Sequence, residues 1–296
     1  MIEEATSSKH SGTTDAPLVS VVAPCFNAEK YLEEALRSIY EQDYPNFEVI
    51  IVDDGSTDNS YAMLEQLQKV HGFQLYRQQN QGVSAALNFG LRHARGDYVA
   101  TPDLDDIMLP HSLSVRAAYL DQHSEVGCVG ALVIYIDSEG QETKRQNGNR
   151  IRQLDFDYLL GSGAPVSLYR MEALRAAGFY DPEIKVQDFQ MTLRIASQGY
   201  QIHKLPVLVT RYRRHPDNLS RRYKVLLDAD LRTIEPYQSH PAYERGRTEL
   251  VNKALKYAVV ADKRHAWQLL RSLPLRQWNR TTFRRLKRFL LHHETT

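Results

Sequence analysis

The sequence predicts an α/β fold whose sheet is mixed, mostly parallel and flanked by helices. Three short, largely apolar runs, at 19–23, 47–52 and 97–100, have the length and composition of buried strands. The first two are each followed by apolar residues at helical spacing, and successive strand–helix units produce parallel strands. Ligands bind beyond the carboxyl ends of such strands, so the polar clusters that follow all three runs predict one shared site.

The first unit begins with the run 19–23, which Pro24 stops. We expect Asn27 to cap the helix that follows, because its side-chain oxygen can accept from free backbone N–H groups. The apolar residues of that helix share one face: Tyr31, Leu32, Ala35, Leu36, Ile39 and Tyr40.

The second and third units repeat this pattern. Residues 53–56 form a polar turn after the second strand, and Tyr61, Leu64 and Leu67 begin one stripe of the next helix. The third helix follows 80–82, and Gly96 ends it before the strand 97–100. Beyond the acidic cluster at 103–106, the sequence predicts helices at 110–123 and 170–177 and strands at 126–136 and 201–209.

Three carboxylates, Asp103, Asp105 and Asp106, lie within four residues after the third strand, with no basic residue between Gly96 and His111. Close like charges raise one another's pKa and resist ionisation together unless a cation neutralises them. A hard divalent ion bound by few carboxylates and a ligand's phosphates would do so. A solvated acidic turn is the alternative, but the position at the end of a buried strand favours a metal site.

Several segments resemble, in order and spacing, the motifs of the family 2 inverting glycosyltransferases, which have the GT-A nucleotide-sugar-binding fold. They are PCFN at 24–27, VDDGS at 52–56 and DLDD at 103–106, with YL at 31–32, SIYEQ at 38–42 and NQGVS at 80–84. The resemblance covers roughly 18–220, and several motifs in register are more specific than one. It implies a GT-A, Rossmann-like domain that uses Mn²⁺ or Mg²⁺ to transfer a sugar from a nucleotide sugar.

The same resemblance implies roles for individual residues. It gives Asp105 as the direct metal ligand, with Asp103 and His215 as further ligands. It places Phe26 on the nucleobase and Asp54 on the uracil N3–H group, which favours a UDP-sugar donor. The donor contacts that it implies are Pro24, Phe26, Asn27, Glu29, Asp53, Asp54, Asn80, Gly82, Asp103, Leu104 and Arg213.

Asp188 is the candidate catalytic base. Where the family carries a Glu-Asp pair, this chain has Gln187 followed by Asp188, at the start of a predicted helix that ends at Gly199. The helix dipole and free backbone N–H groups keep a carboxylate there ionised, as a proton acceptor must be. A plain helix N-cap is the alternative for Asp188. Phe26 and Leu87 mark two further departures, since many relatives carry Tyr and Arg, respectively, at these positions.

The sequence leaves two other classes of function open. A sugar-nucleotide pyrophosphorylase would carry a Gly-rich, basic loop after the first strand, and residues 24–30 do not have that composition. A non-catalytic nucleotide-sugar binder would fit the departures at Gln187 and Leu87, and a membrane or assembly adaptor would act through the basic C-terminal tail. The intact Asp188 and acidic cluster favour the enzyme, acting on a hydroxyl of a saccharide or lipid-linked saccharide during surface-glycan synthesis.

Composition divides the chain into three parts. Residues 1–17 are polar and predict a disordered tail, 18–222 the catalytic domain, and 223–296 a helical extension. The two cysteines, Cys25 and Cys128, do not suggest disulfides, so we expect a reducing, cytoplasmic compartment. The basic segment 143–152 reads as an exposed loop, or alternatively as a mobile lid over the diphosphate.

The end of the chain is strongly basic. From Lys263 onward it has nine Lys or Arg residues and one acidic residue, Glu294, and subtracting that net +8 from the formal charge of +1 leaves −7 elsewhere. In 278–290 apolar and basic residues are interleaved as in an amphipathic helix lying on a membrane, which predicts a peripheral protein at the inner face. A helix docked on the catalytic domain is the alternative. No nucleic-acid-binding motif accompanies the charge, so we expect no nucleic-acid partner.

Overall fold

A computed structural model of the protein describes residues 16–163, 166–216, 218 and 222–291. Its described residues contain one ten-stranded sheet with the main order β3-β2-β1-β4-β9-β6-β10-β5, to which β7 adds beside β6 and β8 beside β10. The strands are β1 Val19–Cys25, β2 Phe47–Asp53, β3 Gln74–Arg77, β4 Tyr98–Ala100, β5 Ile107–Met108, β6 Val126–Ile136, β7 Glu142–Arg145, β8 Arg152–Gln153, β9 Leu168–Arg170 and β10 Gln201–Arg213.

The pairing confirms the mixed, mostly parallel sheet. β1 is parallel to β2 and β4, β2 to β3, and β6 to β10. β9 is antiparallel to both β4 and β6, so β6 and β10 run in the direction of β1. The helices are α1 Leu32–Tyr40, α2 Ser60–His71, α3 Val83–His93, α4 Ser112–Gln122, α5 Phe156–Leu159, α6 Met171–Ala176, α7 Gln187–Ser197, α8 Tyr223–Ile234, α9 Tyr243–Ala261, α10 Lys263–Ser272 and α11 Arg280–Leu291.

Helices cover both faces of the sheet, as the alternating apolar positions of the strands require. On one face Ile51 of β2 packs with Leu36 of α1 and Leu113 of α4. On the other face Val22 of β1 packs with Leu87 of α3 and Leu193 of α7. β1 and β2 are therefore buried on both faces along most of their length, which explains their continuous apolar runs, whereas β3 at the edge of the sheet is only partly buried.

Three local predictions were wrong or incomplete. The short strand β3 was not predicted, because its pattern is too brief to stand out from the loop around it. Residues 143–152 are not a plain loop, since β7 pairs with β6 and β8 pairs with β10. β10 extends to Arg213, four residues beyond the predicted end, and this extension carries the strand to the edge of the site.

The C-terminal helices have a core of their own. Leu227 of α8, Leu255 of α9 and Leu270 of α10 belong to one buried cluster, against which Leu286 and Phe289 of α11 pack. No described helix is long and apolar enough to cross a membrane. Of the predicted disordered tail over 1–17, only Ala16 and Pro17 are among the described residues, and the carbonyl oxygen of Pro17 accepts from the Tyr44 hydroxyl at 2.6 Å.

Candidate active site

The candidate site lies at the carboxyl edge of the sheet, where β1, β2, β4 and β10 end. These four strands run in the same direction, so the segments that follow them meet at one edge. The segments are 26–29 after β1, 54–56 after β2, 101–106 after β4 and 214–216 after β10, and Asp53 is the last residue of β2. The convergence that the sequence predicted is therefore present.

The loops after β1 and β2 are tied together by Asn27 and Glu29. Asn27 has a positive φ of 51°, and its Oδ1 accepts from the backbone N–H of Thr57 at 2.8 Å. Oε2 of Glu29 accepts from the backbone N–H of Asn59 at 2.7 Å. α1 begins only at Leu32, so the predicted N-cap role of Asn27 was wrong: its side chain satisfies the neighbouring loop instead. The side chain of Phe26 at the same loop is 49% exposed.

Asp53 and Asp54 organise the next loops. Oδ2 of Asp53 lies 3.1 Å from Nε of Arg77. Oδ1 of Asp54 accepts from Gln81 N–H at 2.9 Å, and its Oδ2 accepts from Gly82 N–H at 2.8 Å. Asp54 therefore holds the 80–82 loop, a role that the sequence did not predict. Its contact to the nucleobase stays a prediction.

The approach of these two loops depends on Gly55. Its φ is +74°, and a Cβ placed there would lie 2.9 Å from the backbone nitrogen of Asn80. No side chain fits in that space without displacing backbone, and the left-handed conformation disfavours other residues as well. The turn after β2 and the 80–82 loop thus form one rigid unit beside Phe26.

Asp103, Asp105 and Asp106 form the acidic cluster of the site. One carboxylate oxygen from each lies within 4.8 Å of the others, which is the spacing of groups that share one cation. Burial, then Asp105 and Asp188, raise the pKa of Asp103 well above its usual range. Burial, then Asp105 and Asp103, do the same to the pKa of Asp106. The side chain of Leu104 is buried in the core, so only its backbone can meet a ligand.

The chain after β10 returns to this cluster. Nε2 of His215 lies 2.9 Å from Oδ2 of Asp105, and Nδ2 of Asn218 donates to the same oxygen at 3.1 Å. The ring of His215 also packs at 46° against Tyr31, with the ring centroids 5.2 Å apart. The predicted metal ligands Asp103, Asp105 and His215 are thus brought together by segments more than 100 residues apart.

Arg213 is buried beneath the cluster. Its backbone N–H donates to Oδ1 of Asp106 at 2.7 Å, and its Nε donates to the carbonyl oxygen of Asp105 at 2.8 Å. Its guanidinium pairs with Glu34 and lies 4.4 Å from the ring centroid of Tyr31. Only 2% of Arg213 is exposed. The resemblance placed it on the donor; in the structure its guanidinium instead fixes the acidic loop to α1 and β10.

Asp188 lies in the first turn of α7, which begins at Gln187. Burial raises the pKa of Asp188 to about 6. The side chain of Gln187 donates from Nε2 to Oδ1 of Asp103 at 3.2 Å. The position at which this chain departs from the family therefore connects the helix of the candidate base to the acidic cluster.

A cavity of about 60 Å³ lies between these groups, lined by Asp103, Asp106, Asp188, Ser167 and Arg116 among others. Arg116 is 1% exposed, and its guanidinium donates to the backbone oxygen and hydroxyl of Ser112 and to the carbonyl of Val166. Arg116 was not predicted as a site residue from the sequence. The signal was a charged residue on the apolar stripe of α4, which runs Leu113, Ala117, Leu120.

The donor set suits a hard divalent cation. Burial and then neighbouring carboxylates raise the pKa values of Asp103 and Asp106, and a divalent cation would relieve the repulsion between these groups. His215 adds a nitrogen beside Asp105. The partly buried carboxylate of Asp188, at the N-terminus of α7, lines the cavity of about 60 Å³ described above. The arrangement can hold a metal-bound diphosphate on one side and accept a proton on the other.

The fold is the GT-A fold of known glycosyltransferases. The fold matches TarS of S. aureus in complex with UDP-GlcNAc with a TM-score of 0.67 and 20% identity, covering 88% of this chain and 82% of that one. It also matches the mannosyltransferase PcManGT of Pyrobaculum calidifontis in complex with GDP-Man and Mn²⁺, with a TM-score of 0.57 and 21% identity, covering 94% and 87%.

Sequence comparison gives the family. The model of glycosyl transferase family 2 matches residues 20–179, which is more than half of the chain. The chain belongs to this family, as its motifs predicted. Among its relatives is the amylovoran biosynthesis glycosyltransferase AmsE of Erwinia amylovora, 29% identical over 222 residues, covering 69% of this chain and 79% of AmsE. EpsE of Bacillus subtilis is 28% identical over 216 residues, covering 70% and 76%.

Proposed function

We propose that this glycosyltransferase moves a sugar from a UDP-sugar to a hydroxyl of a saccharide acceptor, with inversion at the anomeric carbon. The observation that carries the proposal is the placement of Asp188. It lines the same cavity as Asp103 and Asp106, from a separate element of the fold. A single displacement needs a base on the acceptor side and a leaving diphosphate on the other, and such a displacement inverts the configuration.

Asp188 acts as the base in this proposal. Its pKa of about 6, raised by burial, leaves it mostly ionised at neutral pH yet basic enough to accept a proton. The N-terminal turn of α7 points free backbone N–H groups toward this region, which stabilises the anionic form. A nearby, oriented base and a positioned hydroxyl then share the work of activation.

The leaving group lies at the acidic cluster in this proposal. Asp105, Asp103 and His215 hold a divalent cation, Mn²⁺ or Mg²⁺, which neutralises charge that develops on the diphosphate. Arg213 does not contact the donor; it fixes the loop that presents Asp105 and Asp106. Gln187 donates to Asp103 and keeps that carboxylate oriented.

The uracil base stacks on Phe26 in this proposal. The ring of Phe26 is 49% exposed beside the turn that holds Asp53 and Asp54, and an exposed ring at a strand end provides a stacking surface. Two relatives in fold were solved with UDP-sugars or UDP, TarS and GalNAc-T7, whereas PcManGT was solved with GDP-Man. We therefore place UDP first and GDP as the competing donor nucleotide.

The acceptor is a growing surface polysaccharide. The name of AmsE gives its role as amylovoran biosynthesis, and TuaG of Bacillus subtilis, 37% identical over 110 residues, is named for teichuronic acid biosynthesis. A saccharide chain under construction offers the free hydroxyl that the proposed base requires.

A donor screen with mass detection tests the function. The full-length protein and its Asp188→Asn variant are incubated with UDP-, GDP- and dTDP-sugars, Mn²⁺ and an acceptor mixture. We expect new glycosylated products from a UDP-sugar, a loss of about 10²- to 10⁴-fold in the variant, and equal UDP binding by calorimetry. Tightest binding to GDP overturns the donor assignment. Nucleotide-sugar binding without hydrolysis or transfer identifies a non-catalytic binder instead.

A further inference from the structure

The outer surface of α10 and α11 combines basic and apolar side chains. Within the described residues 263–291 there are nine Lys or Arg residues and no Asp or Glu. We call this surface the basic face and define it by its exposed members: Arg264, Trp267, Arg271, Phe283, Arg284, Lys287, Arg288, Leu290 and Leu291. A charge of one sign at this density attracts anions over a distance of about one Debye length.

α11 is held to the protein by its other side. Thr282 is buried and accepts from Nδ2 of Asn252 on α9 at 3.0 Å. Leu286 and Phe289 pack against the core of the C-terminal helices, and the ring of Phe289 stacks on Trp267 of α10 at 5.9 Å. These contacts use the positions 282, 286 and 289, so the opposite side of α11 is left to solvent. The two helices therefore meet where Phe289 stacks on Trp267.

Apolar side chains on that surface are too exposed to belong to the core. Phe283 is 57% exposed, Leu290 is 64% exposed and Leu291 is 67% exposed. Phe283, Lys287 and Leu290 are spaced by four and three residues, so they share one side of the helix, and Arg284, Arg288 and Leu291 share the adjoining side. Cations and large apolar groups thus alternate over the same area.

We propose that the basic face binds the surface of an anionic lipid bilayer. The phosphate headgroups of anionic lipids pair with the cations, and the apolar side chains enter the boundary between headgroups and acyl chains. Nucleic acid would also attract the cations but would gain little from exposed leucines at a helix surface. A docked helix with a solvated basic side accounts for Leu286 and Phe289, yet it leaves Phe283, Leu290 and Leu291 exposed to water without compensation.

The start of α11 is linked to α7 through α9 and the segment 161–163, and the relevance of this link to a lipid-linked acceptor rests on the proposed function. Nδ2 of Asn279, which precedes α11, donates to Oε1 of Glu249 on α9 at 2.8 Å. A Cβ on Gly161 would lie 3.1 Å from the Cβ of Glu249, and one on Gly163 would lie 3.1 Å from the Cα of Phe189. Phe189 follows the candidate base, so these contacts form a chain from the residue before α11 to the helix that carries Asp188.

Vesicle co-sedimentation of the full-length protein tests the proposal. The vesicles contain phosphatidylglycerol and phosphatidylcholine in equal parts, with pure phosphatidylcholine as the neutral comparison. We expect binding to the anionic vesicles at low salt and release at about 1 M salt, where the Debye length is about 3 Å. Each basic residue near an anionic surface is worth about fivefold in partitioning, so R284E/K287E/R288E should lower it by roughly 100-fold or more.

Matched variants distinguish an effect of the basic face on vesicle binding from an effect of the protein's net charge. K69E/R92E/R175E makes the same change in net charge on α2, α3 and α6, and it should reduce binding much less.

L290S/L291S removes exposed apolar groups without changing charge and should weaken binding, whereas Val70→Ser, at a side chain 76% exposed on α2, should not. Circular dichroism and UDP binding establish that each variant is folded. The leucine pair tests the face even if the charge-reversal variant does not fold.

Some results would overturn the proposal. It fails if the full-length protein does not sediment with anionic vesicles at low salt, or if both charge-reversal variants lose binding equally. It also fails if duplex DNA is bound at the same salt and vesicles are not. None of these measurements requires turnover, so the absence of glycosyl transfer would count against the proposed function and leave the membrane result unaffected.

Discussion

The side chain of Gln187 donates from Nε2 to Oδ1 of Asp103 at 3.2 Å. Because an amide can donate to a carboxylate and another carboxylate cannot, this pair stabilises a charged Asp103 in a cluster where burial and neighbouring carboxylates raise its pKa. The departure from the Glu of the family therefore has a local physical effect on the acidic cluster.

Gln187→Glu should make Mn²⁺ binding more dependent on pH. The added carboxylate raises the pKa of Asp103 further, so protons compete more strongly with the metal near pH 6, by about threefold to tenfold in Kd, while affinity near pH 8 is kept or improved. Calorimetry with Mn²⁺ and UDP at both pH values measures this. Gln198→Glu, at the exposed end of α7, is the control, and an equal slope in both variants would contradict the prediction.

The rate of transfer should rise with pH and level off above a pKa near 6. Asp188 must be ionised to accept a proton, and burial raises its pKa to about 6. The measurement is kcat/KM of the metal-loaded enzyme between about pH 5 and pH 8. A rate that stays constant across this range, or one that declines above pH 6, would remove Asp188 from the role of base.

The stabilisation given by Mn²⁺ should increase with pH. The folded-state pKa values of Asp103 and Asp106 are raised above the usual 3.8, so the folded protein holds more protons than the unfolded chain. Their contribution to stability is present below 3.8 and is lost as pH rises through the raised values. A cation replaces those protons, so the rise in Tm on adding Mn²⁺ is larger at pH 8 than at pH 5.

Asp105→Asn is the control for this effect and should reduce the Mn²⁺-dependent shift in Tm at every pH. A shift that is the same at pH 5 and pH 8 would mean that the metal does not displace protons from the cluster.

Arg213→Met should destabilise the protein and also weaken metal binding. Arg213 is 2% exposed, and the loss of its guanidinium leaves the carbonyl of Asp105 and the carboxylate of Glu34 without their donor. Glu34 is 43% exposed and can be hydrated, so the main cost is the unsatisfied carbonyl of Asp105, about 1–3 kcal/mol in the free energy of unfolding, which urea denaturation measures. Arg214→Met is the matched control, since Arg214 is exposed; equal losses in both would contradict a positioning role for Arg213.

The parts of the site that are local in sequence could be predicted from it. The acidic cluster at 103–106 and the turn at 53–56 each lie directly after a buried strand, and strand direction alone brings them to one edge. The residue types of these two segments also indicate their chemistry, because carboxylates at the end of a strand suit a hard cation.

Roles that depend on contacts between residues far apart in the chain could not be predicted from local sequence patterns. Arg213 reads as one basic residue among several in its segment, and only the fold reveals that its partner Glu34 lies 179 residues away in the chain. Asn27 has the residue type of a helix cap, yet its side chain accepts from the backbone N–H of Thr57 in the loop after β2 instead. Arg116 could have been predicted as a buried, hydrogen-bonded residue, because a charged residue on the apolar stripe of α4 requires a buried partner.

The bond from the backbone of Arg213 to Asp106 joins residues 107 positions apart, and it has a consequence for biosynthesis. A ribosome releases the acidic loop long before it releases β10, so the nascent chain carries the three carboxylates with nothing to hold them in place. Contacts of such sequence separation form late in folding, after the loop between them is closed. A chain terminated between α7 and β10 would thus carry all three carboxylates and lack both Arg213, which anchors their loop, and His215.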